Sequence, residues 1–306
     1  MKTFDSLKSI AQDLNGAPVG LTIGNFDGFH LGHQGLVKEL QKALFNQNVQ
    51  NNLVLTFNPH PLEFFQKVKS IRMFDWEDQK TELEKINVTH LLIEKFDSDY
   101  ASKTATDFFE GYLLKHLNIK VIRVGHDFHF GKNRQGSLEY LQTACEDHQI
   151  DFAIYPAFTF EKEVVSSTLV RKYLQTGQIL KANELLGRRF YFRGEVVKGD
   201  QRGRLLNFPT ANLKPTVDFM IQQGVYKTQT ILNGQIFKSA TNIGVNKSFQ
   251  NDGAIKIETH ILDFDQDIYG QEIQVEFLDY LRTEQKFNSL DELKNQIKLD
   301  VAKCRQ

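Results

Sequence analysis

The sequence predicts an α/β domain followed by a β domain: a parallel sheet covered by helices, then a small antiparallel β-barrel with a C-terminal helix. The length of 306 residues favours two domains. In the first half, short apolar runs alternate with helical patterns, which is typical of a parallel sheet. Beyond Gly187 strand patterns follow one another with no helix between them, which indicates a barrel. We therefore divide the chain into residues 1–186 and residues 187–306.

Five short apolar runs in the first half are the predicted strands of the parallel sheet. Amphipathic stretches between them, residues 36–45 and 106–116, carry apolar side chains at helical spacing. Ligands of such sheets bind at the carboxyl ends of the strands, and we therefore expect the chemistry in the loops that follow the strands. The predicted strands are residues 19–23, 53–57, 88–93, 119–124 and 152–156.

Two further helical patterns, residues 169–174 and 179–186, end the first domain. Gly177 and Gly187 follow them and are predicted to stop the helices. Alternating runs separated by turns then predict the barrel strands. A last helix closes the chain, with Ser289 as its predicted cap.

Composition argues against several classes of function. Lys and Arg number 37 and Asp and Glu 38, and a net charge of -1 gives no reason to expect a nucleic-acid or membrane partner. Cys145 and Cys304 are far apart and form no CxxC pattern, which favours two reduced thiols in a cytoplasmic protein. The N-terminus is polar, and no apolar run approaches the about 18 residues of a membrane helix. We expect a cytoplasmic protein; its oligomeric state stays open.

The run IGNFDGFHLGHQG follows the first predicted strand and opens the first predicted helix. Its glycines, Gly24, Gly28 and Gly32, let the backbone approach a ligand closely. His30 and His33 are three residues apart, which puts both rings on one side of the first helical turn. A helix N-terminus attracts anions, and two imidazoles there can contact nucleotide phosphates. A zinc site lacks a third ligand nearby, and plain capping or core histidines are the other alternative.

Polar segments also follow the second, fourth and fifth predicted strands: TFNPHP, GHDFHFGKNRQG and VSSTLVRKYL. In the last segment, Ser166, Ser167 and Thr168 precede a helix with Arg171 in its first turn. Hydroxyls, backbone amides and an arginine at a helix start suit a pyrophosphate group, although Ser and Thr usually just cap helices. GHDFHFGKN is not a Walker A loop, because the spacing is wrong and Asn133 stands where Ser or Thr is needed.

GEVVKGDQRGRLLNFPTANL opens the second domain and combines glycines with arginines, as a phosphate-cradling loop does. On the later strand IETHIL, alternation puts Glu258 and His260 on one face and Thr259 on the other. A strand glutamate is more often simply solvated, and the spacing alone assigns Glu258 no role. The residues of the predicted phosphate loop are Gly199, Arg202, Gly203 and Arg204.

HxGH after the first strand is similar to the signature of the nucleotidylyltransferase superfamily, and GNFDGxHxGH to its flavin-directed branch. Nearly the whole chain resembles the prokaryotic bifunctional riboflavin kinase/FAD synthetase family. The resemblance implies a Rossmann-like nucleotidylyltransferase domain followed by a riboflavin kinase barrel. It implies ATP and phosphate contacts at Gly24, Asn25, Phe26, Asp27, His30, His33, Ser166, Ser167, Thr168 and Arg171, with catalytic roles for His30, His33 and Arg171, and flavin or nucleotide contacts at Asn58, Asp127 and Arg134.

In the barrel, FPTAN resembles the PTAN motif of riboflavin kinases, whose threonine and asparagine help to hold Mg²⁺ and the phosphates of ATP. The resemblance therefore implies Thr210 and Asn212 as metal ligands and ATP contacts. It also implies Glu258 as the general base for the ribityl 5′-hydroxyl. Arg282 and Phe287, in LRTEQKF, correspond to the segment before the flavin-contacting helix.

The chain departs from the family pattern at a few positions. Phe29 stands where a smaller aliphatic is usual, and His129 where an arginine is common. Asn207 replaces the glycine before FPTAN, and Lys247-Ser248 replaces Pro-Thr. Because Thr210, Asn212 and Glu258 are retained, we expect an active kinase with altered affinity.

The resemblance implies two reactions: ATP phosphorylates riboflavin to FMN, and a second ATP adenylylates FMN to FAD with release of pyrophosphate. One alternative keeps only the adenylyltransferase and a degraded flavin-binding barrel, which the Lys247-Ser248 departure favours. Another is a flavin sensor that regulates RNA or a partner protein. The near-neutral charge and the intact phosphate sites count against the sensor.

Overall fold

The computed structural model describes residues 1–67, 71–199, 208–245 and 255–306. Its contacts divide the chain into one compact unit of Met1–Arg72 and Trp76–Ser166 and a second of Met73–Asp75 and Ser167–Gln306. The two helices before Gly187 therefore group with the barrel, whereas the sequence pattern had placed them with the sheet. The boundary between the two functional domains at residues 186/187 stays a prediction.

The first unit contains a six-stranded sheet. Its strands are β1 (Lys2–Phe4), β2 (Pro18–Ile23), β3 (Asn51–Asn58), β4 (His90–Lys95), β5 (Asn118–Gly125) and β6 (Asp151–Tyr155). They lie in the order β1-β4-β3-β2-β5-β6, and every pair is parallel. The five predicted strands are confirmed. The edge strand β1 was not predicted, because three residues are too few to show a period.

Helices and one hairpin complete the first unit. They are α1 (Leu7–Leu14), α2 (Leu31–Asn46), α3 (Pro61–Gln66), α4 (Trp76–Lys85), α5 (Ser98–Ala101), α6 (Ala105–Phe108), a π-helix (Phe109–Leu114), a 3₁₀ turn (Lys132–Arg134), α7 (Leu138–Asp147), and the hairpin strands β7 (Thr159–Phe160) and β8 (Glu163–Val164). The helical pattern over 106–116 is thus a short α-helix continued by a π-helix. Apolar spacing does not distinguish these two helix types.

Apolar side chains cover both faces of the sheet. Leu53 and Leu55 of β3 pack in one layer, while Val54 packs against Leu36 and Val37 of α2 in the other. Burial on both faces is why the strands have nearly continuous apolar sequences. From β2 the chain builds the sheet through β3 and β4 on one side, then crosses to β5 on the other. The carboxyl ends of β2 and its neighbours therefore form the crevice where such sheets bind ligands.

The second unit contains a closed antiparallel barrel. Its strands are β9 (Tyr191–Val197), β10 (Ala211–Pro215), β11 (Gly224–Leu232), β12 (Gln235–Val245), β13 (Ile255–Ile261) and β14 (Glu272–Arg282). Around the barrel the order is β10-β13-β12-β11-β14-β9. The predicted barrel is confirmed. β10 was not among the predicted strands, because it is short and follows the FPTAN motif directly.

Among the described residues, three helices accompany the barrel: α8 (Ser167–Gln175), α9 (Ile179–Leu186) and α10 (Leu290–Arg305). Gly177 and Gly187 follow α8 and α9 with left-handed φ values of 73° and 68°, which confirms both as helix stops. Ser289 Oγ accepts a hydrogen bond from the amide of Glu292 at 3.2 Å, which confirms the predicted cap of α10.

The barrel interior combines aromatic rings with hydroxyl groups. Phe277 packs edge-on against Tyr226, and both rings are fully buried. The hydroxyl of Thr241 lies 2.8 Å from that of Thr228 and 3.0 Å from that of Thr259. These buried polar groups therefore satisfy one another. Thr259 points inward and its neighbours on β13 point outward, as the alternation predicts.

Candidate active sites

The N-terminus of α2 carries a pair of stacked imidazoles. His30 is the N-cap of the helix, and its Nδ1 accepts a hydrogen bond from the amide of His33 at 3.3 Å. An accepting Nδ1 leaves the ring proton on Nε2, which is then a donor. The two rings are 3.7 Å apart between centroids and inclined by 16°. The predicted common face of His30 and His33 is confirmed, at a helix end that favours anions.

The loop between β2 and α2 is fixed by backbone bonds and buried rings. The amide of Gly24 donates to Leu55 O, and that of Phe29 donates to Phe26 O, each at 3.1 Å. Phe26 and Phe29 adopt φ values of 48° and 42°, and both are buried. Their ring centroids lie 5.1 and 6.4 Å from that of His33. Phe29, a departure from the family pattern, therefore packs behind an imidazole of the site.

Other predicted residues lie at the same edge of the sheet. Asn25 follows β2, Asn58 ends the neighbouring β3, and Asp127 follows β5 on the other side of β2. The carbonyl of Asn25 accepts the hydroxyl of Thr56 at 3.1 Å, and Asp27 in the same loop is buried. The structure thus brings these loops together at one crevice. Their contacts with nucleotide or flavin stay predictions.

The turn after β5 holds His129 next to Arg134. Nδ1 of His129 lies 2.9 Å from the carbonyl oxygen of Asp127 and 3.2 Å from Nη2 of Arg134. Both side chains are exposed, and Arg134 has a φ of 59°. His129 therefore lies beside Arg134, which the sequence predicted to contact the nucleotide or flavin.

The predicted second phosphate element is divided between the two compact units. Ser166 ends the first unit. Ser167 begins α8, which also carries Thr168 and Arg171 and belongs to the second unit. The proposed contact of these four residues with pyrophosphate stays a prediction.

On the barrel, three neighbouring strands place polar side chains in one row. Asn212 of β10 and Asn242 of β12 are both paired in register with Glu258 of β13. The side chain of Glu258 is 26% exposed, and its Oε1 lies 3.2 Å from Nζ of Lys256. A carboxylate accessible from the outer face of the barrel is in a position to accept a substrate proton.

Gly199 makes room for the first member of this row. A Cβ on Gly199 would overlap the side-chain amide of Asn212. Thr210 directly precedes β10, two residues before Asn212. A hydroxyl and an amide oxygen are hard ligands of the kind that Mg²⁺ accepts. Several predicted positions lie outside the described residues: Arg202, Gly203, Arg204, Asn207, Lys247 and Ser248.

Arg282 ends β14 and is bound on several sides. Its Nη2 donates to Asp300 of α10 at 2.8 Å, and its Nη1 donates to the carbonyl of Thr283 at 3.0 Å. Its guanidinium carbon lies 5.9 Å from the ring centroid of Phe287. The structure thus brings together the two residues predicted to contact flavin. Their contact with the flavin itself stays a prediction.

A cavity of about 540 Å³ lies beside the segment that follows β14. The hydroxyl of Tyr280 donates to the carbonyl of Gln223 at 3.1 Å, and that of Tyr226 donates to the carbonyl of Gln222, so the backbone of one wall is held in place. The cavity is lined by Gln175, Met220, Ile221, Gln222, Gln223, Thr283 and Glu284.

Two residues near this cavity were not predicted from sequence. Glu284 lines the cavity, and its Oε1 accepts a hydrogen bond from Nδ2 of Asn242 at 3.1 Å. Glu284 lies within LRTEQKF, where only Arg282 and Phe287 were predicted to contact flavin, and Asn242 belongs to none of the predicted motifs. What identifies these two residues is the pairing of β12 with β13, which puts Asn242 opposite Glu258. This pairing belongs to the tertiary structure and is not visible in the local sequence.

Within residues 1–67, 71–199, 208–245 and 255–306, no three His, Cys, Asp or Glu side chains are grouped as metal ligands. In the same part of the chain, no helix is both long and apolar enough to cross a bilayer.

The imidazoles at a helix N-terminus beside the parallel sheet and the Asn212–Glu258 row of the barrel are two polar sites of the kind expected in a nucleotide-dependent transferase. A family model described as FAD synthetase matches residues 14–169, and one described as riboflavin kinase matches residues 186–306. The chain belongs to the bifunctional riboflavin kinase/FMN adenylyltransferase family, which confirms the resemblance predicted from sequence.

Individual relatives agree with this assignment. The bifunctional riboflavin kinase/FMN adenylyltransferase of Haemophilus influenzae is 37% identical over 284 residues, which are 92% of this chain and 91% of the relative. The protein of the same name from Escherichia coli is 36% identical over 288 residues, which are 94% and 91%. A crystal structure from Streptococcus pneumoniae, described as a macrolide-efflux protein, superposes with a TM-score of 0.89 at 30% identity and covers 100% of this chain and 99% of its own.

Proposed function

We propose that the enzyme phosphorylates riboflavin with ATP on the barrel and transfers AMP from a second ATP to FMN at the N-terminus of α2. The products are FMN and ADP in the first reaction, and FAD and pyrophosphate in the second. The observation that carries the proposal is the presence of one polar cluster in each compact unit, the His30–His33 pair and the Asn212–Glu258 row, each suited to phosphate chemistry.

In the kinase reaction, Glu258 takes the proton of the ribityl 5′-hydroxyl as its oxygen attacks the γ-phosphorus of ATP, and ADP leaves. The accessible carboxylate on the outer face of β13 supports this role. Thr210 and Asn212 would hold Mg²⁺, which supplies neutralisation of phosphate charge when it is bound. The side-chain amide of Asn212 occupies space that a side chain at Gly199 would fill, and this room for the amide supports the ligand set.

The cavity beside Glu284 supports flavin binding to the barrel. Its volume, about 540 Å³, falls within the usual range for small-molecule sites. Met220 and Ile221 offer apolar contact, while Gln222 and Gln223 offer amides. Such a mixture suits an isoalloxazine ring, which has one apolar edge and one edge of alternating donors and acceptors. Arg282 and Phe287 lie on the segment that leads away from this cavity.

In the adenylyl transfer, the phosphate of FMN attacks the α-phosphorus of ATP and displaces pyrophosphate. The nucleophile is already an anion, and the site must therefore align the reactants and stabilise charge rather than remove a proton. The Nε2 donor of His30, the stacked ring of His33 and the amides of the α2 N-terminus serve this purpose. Thr168 and Arg171, with Ser166 and Ser167, would bind the departing pyrophosphate.

All substrates are small molecules: riboflavin, FMN and ATP. The net charge of -1 gives no electrostatic reason to expect a nucleic-acid or membrane partner, and two free cysteines support a cytoplasmic enzyme.

The test is chromatography of the products formed by purified protein from ATP and riboflavin, or from ATP and FMN, with Mg²⁺ or with EDTA. We expect FMN and FAD from riboflavin, FAD from FMN, and neither product with EDTA. If FAD forms from FMN but not from riboflavin, the protein is an adenylyltransferase whose barrel has no kinase activity. The absence of both products would favour a flavin-binding role.

A further inference from the structure

Glu284 occupies a position that links the cavity to the kinase row. Its side chain lines the cavity, and its Oε1 is bonded to Nδ2 of Asn242 at 3.1 Å. Asn242 is the register partner of Glu258, and directly opposed residues of antiparallel strands have side chains in contact range. One surface of the barrel therefore leads from the cavity through Glu284 and Asn242 to Glu258.

The backbone opposite Glu284 is shaped for its carboxylate. Gly244 lies two residues after Asn242, on the same side of β12. A Cβ at Gly244 would lie 2.9 Å from Oε1 of Glu284, closer than real side chains come. A side chain at this position would therefore push the Glu284 carboxylate away from its present position beside Asn242.

Glu284 and Asn242 can form further hydrogen bonds of the type that the hydroxyl groups of a polyol make. A carboxylate accepts several hydrogen bonds, and the asparagine amide offers both a donor and an acceptor. Among the described residues, the contact with Asn242 is the one hydrogen bond of the Glu284 side chain. Glu284 is also exposed, so its carboxylate is accessible to a bound substrate. A row of hydroxyls crossing from the cavity to Glu258 would meet both groups.

We propose that Glu284 and Asn242 bind the secondary hydroxyls of the ribityl chain, and thereby place the 5′-hydroxyl at Glu258 and select flavins with an intact polyol. This inference rests on the proposed kinase function of the barrel. Glu284 and Asn242 are substrate-binding and positioning residues in this scheme, while proton transfer stays with Glu258. The isoalloxazine ring lies in the cavity and the chain extends along the surface.

The experiment compares the wild type with Glu284→Gln, Glu284→Ala and Asn242→Ala in the full-length protein. Initial rates of FMN formation are measured with riboflavin and with its 2′-, 3′- and 4′-deoxy analogues. Hydrogen bonds to charged groups have strengths that correspond to roughly 10- to 100-fold in affinity. We expect KM for riboflavin to rise by about that factor in Glu284→Ala, with KM for ATP unchanged. The penalty that the wild type shows for one deoxy analogue should largely disappear in the same variant.

Two controls separate binding from folding. Urea midpoints of each variant, followed by circular dichroism, report on the folding of the barrel and should match the wild type, and FMN adenylyltransferase activity should stay at the wild-type level. Asp265→Asn removes an exposed carboxylate outside the site and should leave every kinase constant unchanged.

Unchanged KM for riboflavin in all three variants overturns the inference, as does an undiminished penalty for every deoxy analogue. Both results would leave the proposed kinase function standing, because the wild type would still form FMN. A wild type that forms no FMN from riboflavin would overturn the kinase function and this inference together.

Discussion

Arg282 and Asp300 form a largely buried ion pair that ties the end of β14 to α10. Nη2 of Arg282 lies 2.8 Å from Oδ2 of Asp300, and the two side chains are 14% and 4% exposed. Nε of the same guanidinium donates to both carboxylate oxygens, at 3.1 and 3.0 Å. Gln296 adds a fourth hydrogen bond to this carboxylate, at 3.0 Å. The segment between β14 and α10, which carries Glu284 and Phe287, therefore joins two elements that this ion pair holds together.

Removal of one partner of this pair should destabilise the barrel. Asp300→Ala leaves a buried guanidinium without its counter-ion, and we expect a loss of about 3–5 kcal/mol in the free energy of unfolding. Urea unfolding followed by circular dichroism measures the loss. The exposed pair of Arg305 and Asp263 has similar geometry, with distances of 2.7 Å, and makes Asp263→Ala a matched control with little expected effect. Equal midpoints for Asp300→Ala and the wild type would contradict this account.

A methyl group at Gly199 should impair the kinase and spare the adenylyltransferase. Because a Cβ there overlaps the Asn212 amide, Gly199→Ala must displace a proposed metal ligand. We expect kcat for FMN formation to fall by roughly 10-fold or more, comparable with the effect of a small misplacement of a reacting group. Gly111→Ala is the control, since a Cβ at that glycine meets nothing within 4 Å. A Gly199→Ala variant with wild-type kcat and Mg²⁺ dependence would show that Asn212 does not act in this geometry.

Substitution of His30 should separate its capping role from its catalytic role. His30→Ala removes both the imidazole and the N-cap acceptor, whereas His30→Asn keeps an acceptor for the α2 amides. We expect both variants to lose FMN adenylyltransferase activity by about 100-fold, and only the alanine variant to lose about 1 kcal/mol of stability. Kinase activity of the same samples should be unchanged. Full recovery of FAD formation in His30→Asn would assign the residue to capping alone.

Glu94 should make the stability of the first unit depend on pH. Burial raises the pKa of this carboxyl above its ordinary value, although Tyr112 Oη and the amide of Leu7 donate to its Oε1 at 2.8 and 2.9 Å. The folded state therefore binds the proton more tightly than the unfolded state does. This contribution is fully present below the ordinary pKa of about 4.5 and is lost as the pH rises through the raised value.

Glu94→Gln keeps an acceptor oxygen and removes the ionisation. We expect it to be more stable than the wild type at pH 7.5, with the advantage reduced at pH 4.5. Urea midpoints at the two pH values measure this, and Glu110→Gln, an exposed substitution in the neighbouring π-helix, is the control. The same difference at both pH values would contradict a raised pKa in the folded state.

Local sequence was sufficient for the elements whose pattern reflects burial. The strands of the sheet are apolar on both faces, as Leu53, Val54 and Leu55 illustrate, and were predicted within two residues at each end. The stacking of His30 on His33 also follows from local spacing on a helix. β1 and the π-helix were not predicted, because a three-residue edge strand and a change of hydrogen-bond period leave no distinct apolar pattern.

Relationships between distant segments required the structure. Nothing near Asn242 in the sequence indicates that it pairs with Glu258 and bonds to Glu284. Likewise, the grouping of α8 with the barrel depends on packing among elements far apart in the chain. These are the positions where strand register and side-chain contacts, rather than local composition, determine which residues meet.

The central claim, two independent sites on one chain, is tested most directly by mixing two variants. Glu258→Gln should leave riboflavin unchanged but convert FMN to FAD, and His33→Ala should convert riboflavin to FMN and stop there. Neither alone should form FAD from riboflavin and ATP, whereas an equimolar mixture should do so at a rate near half that of the same amount of wild type. FAD formation from riboflavin by either variant alone at the wild-type rate, or its absence from the mixture, would contradict the assignment of the two reactions to these residues.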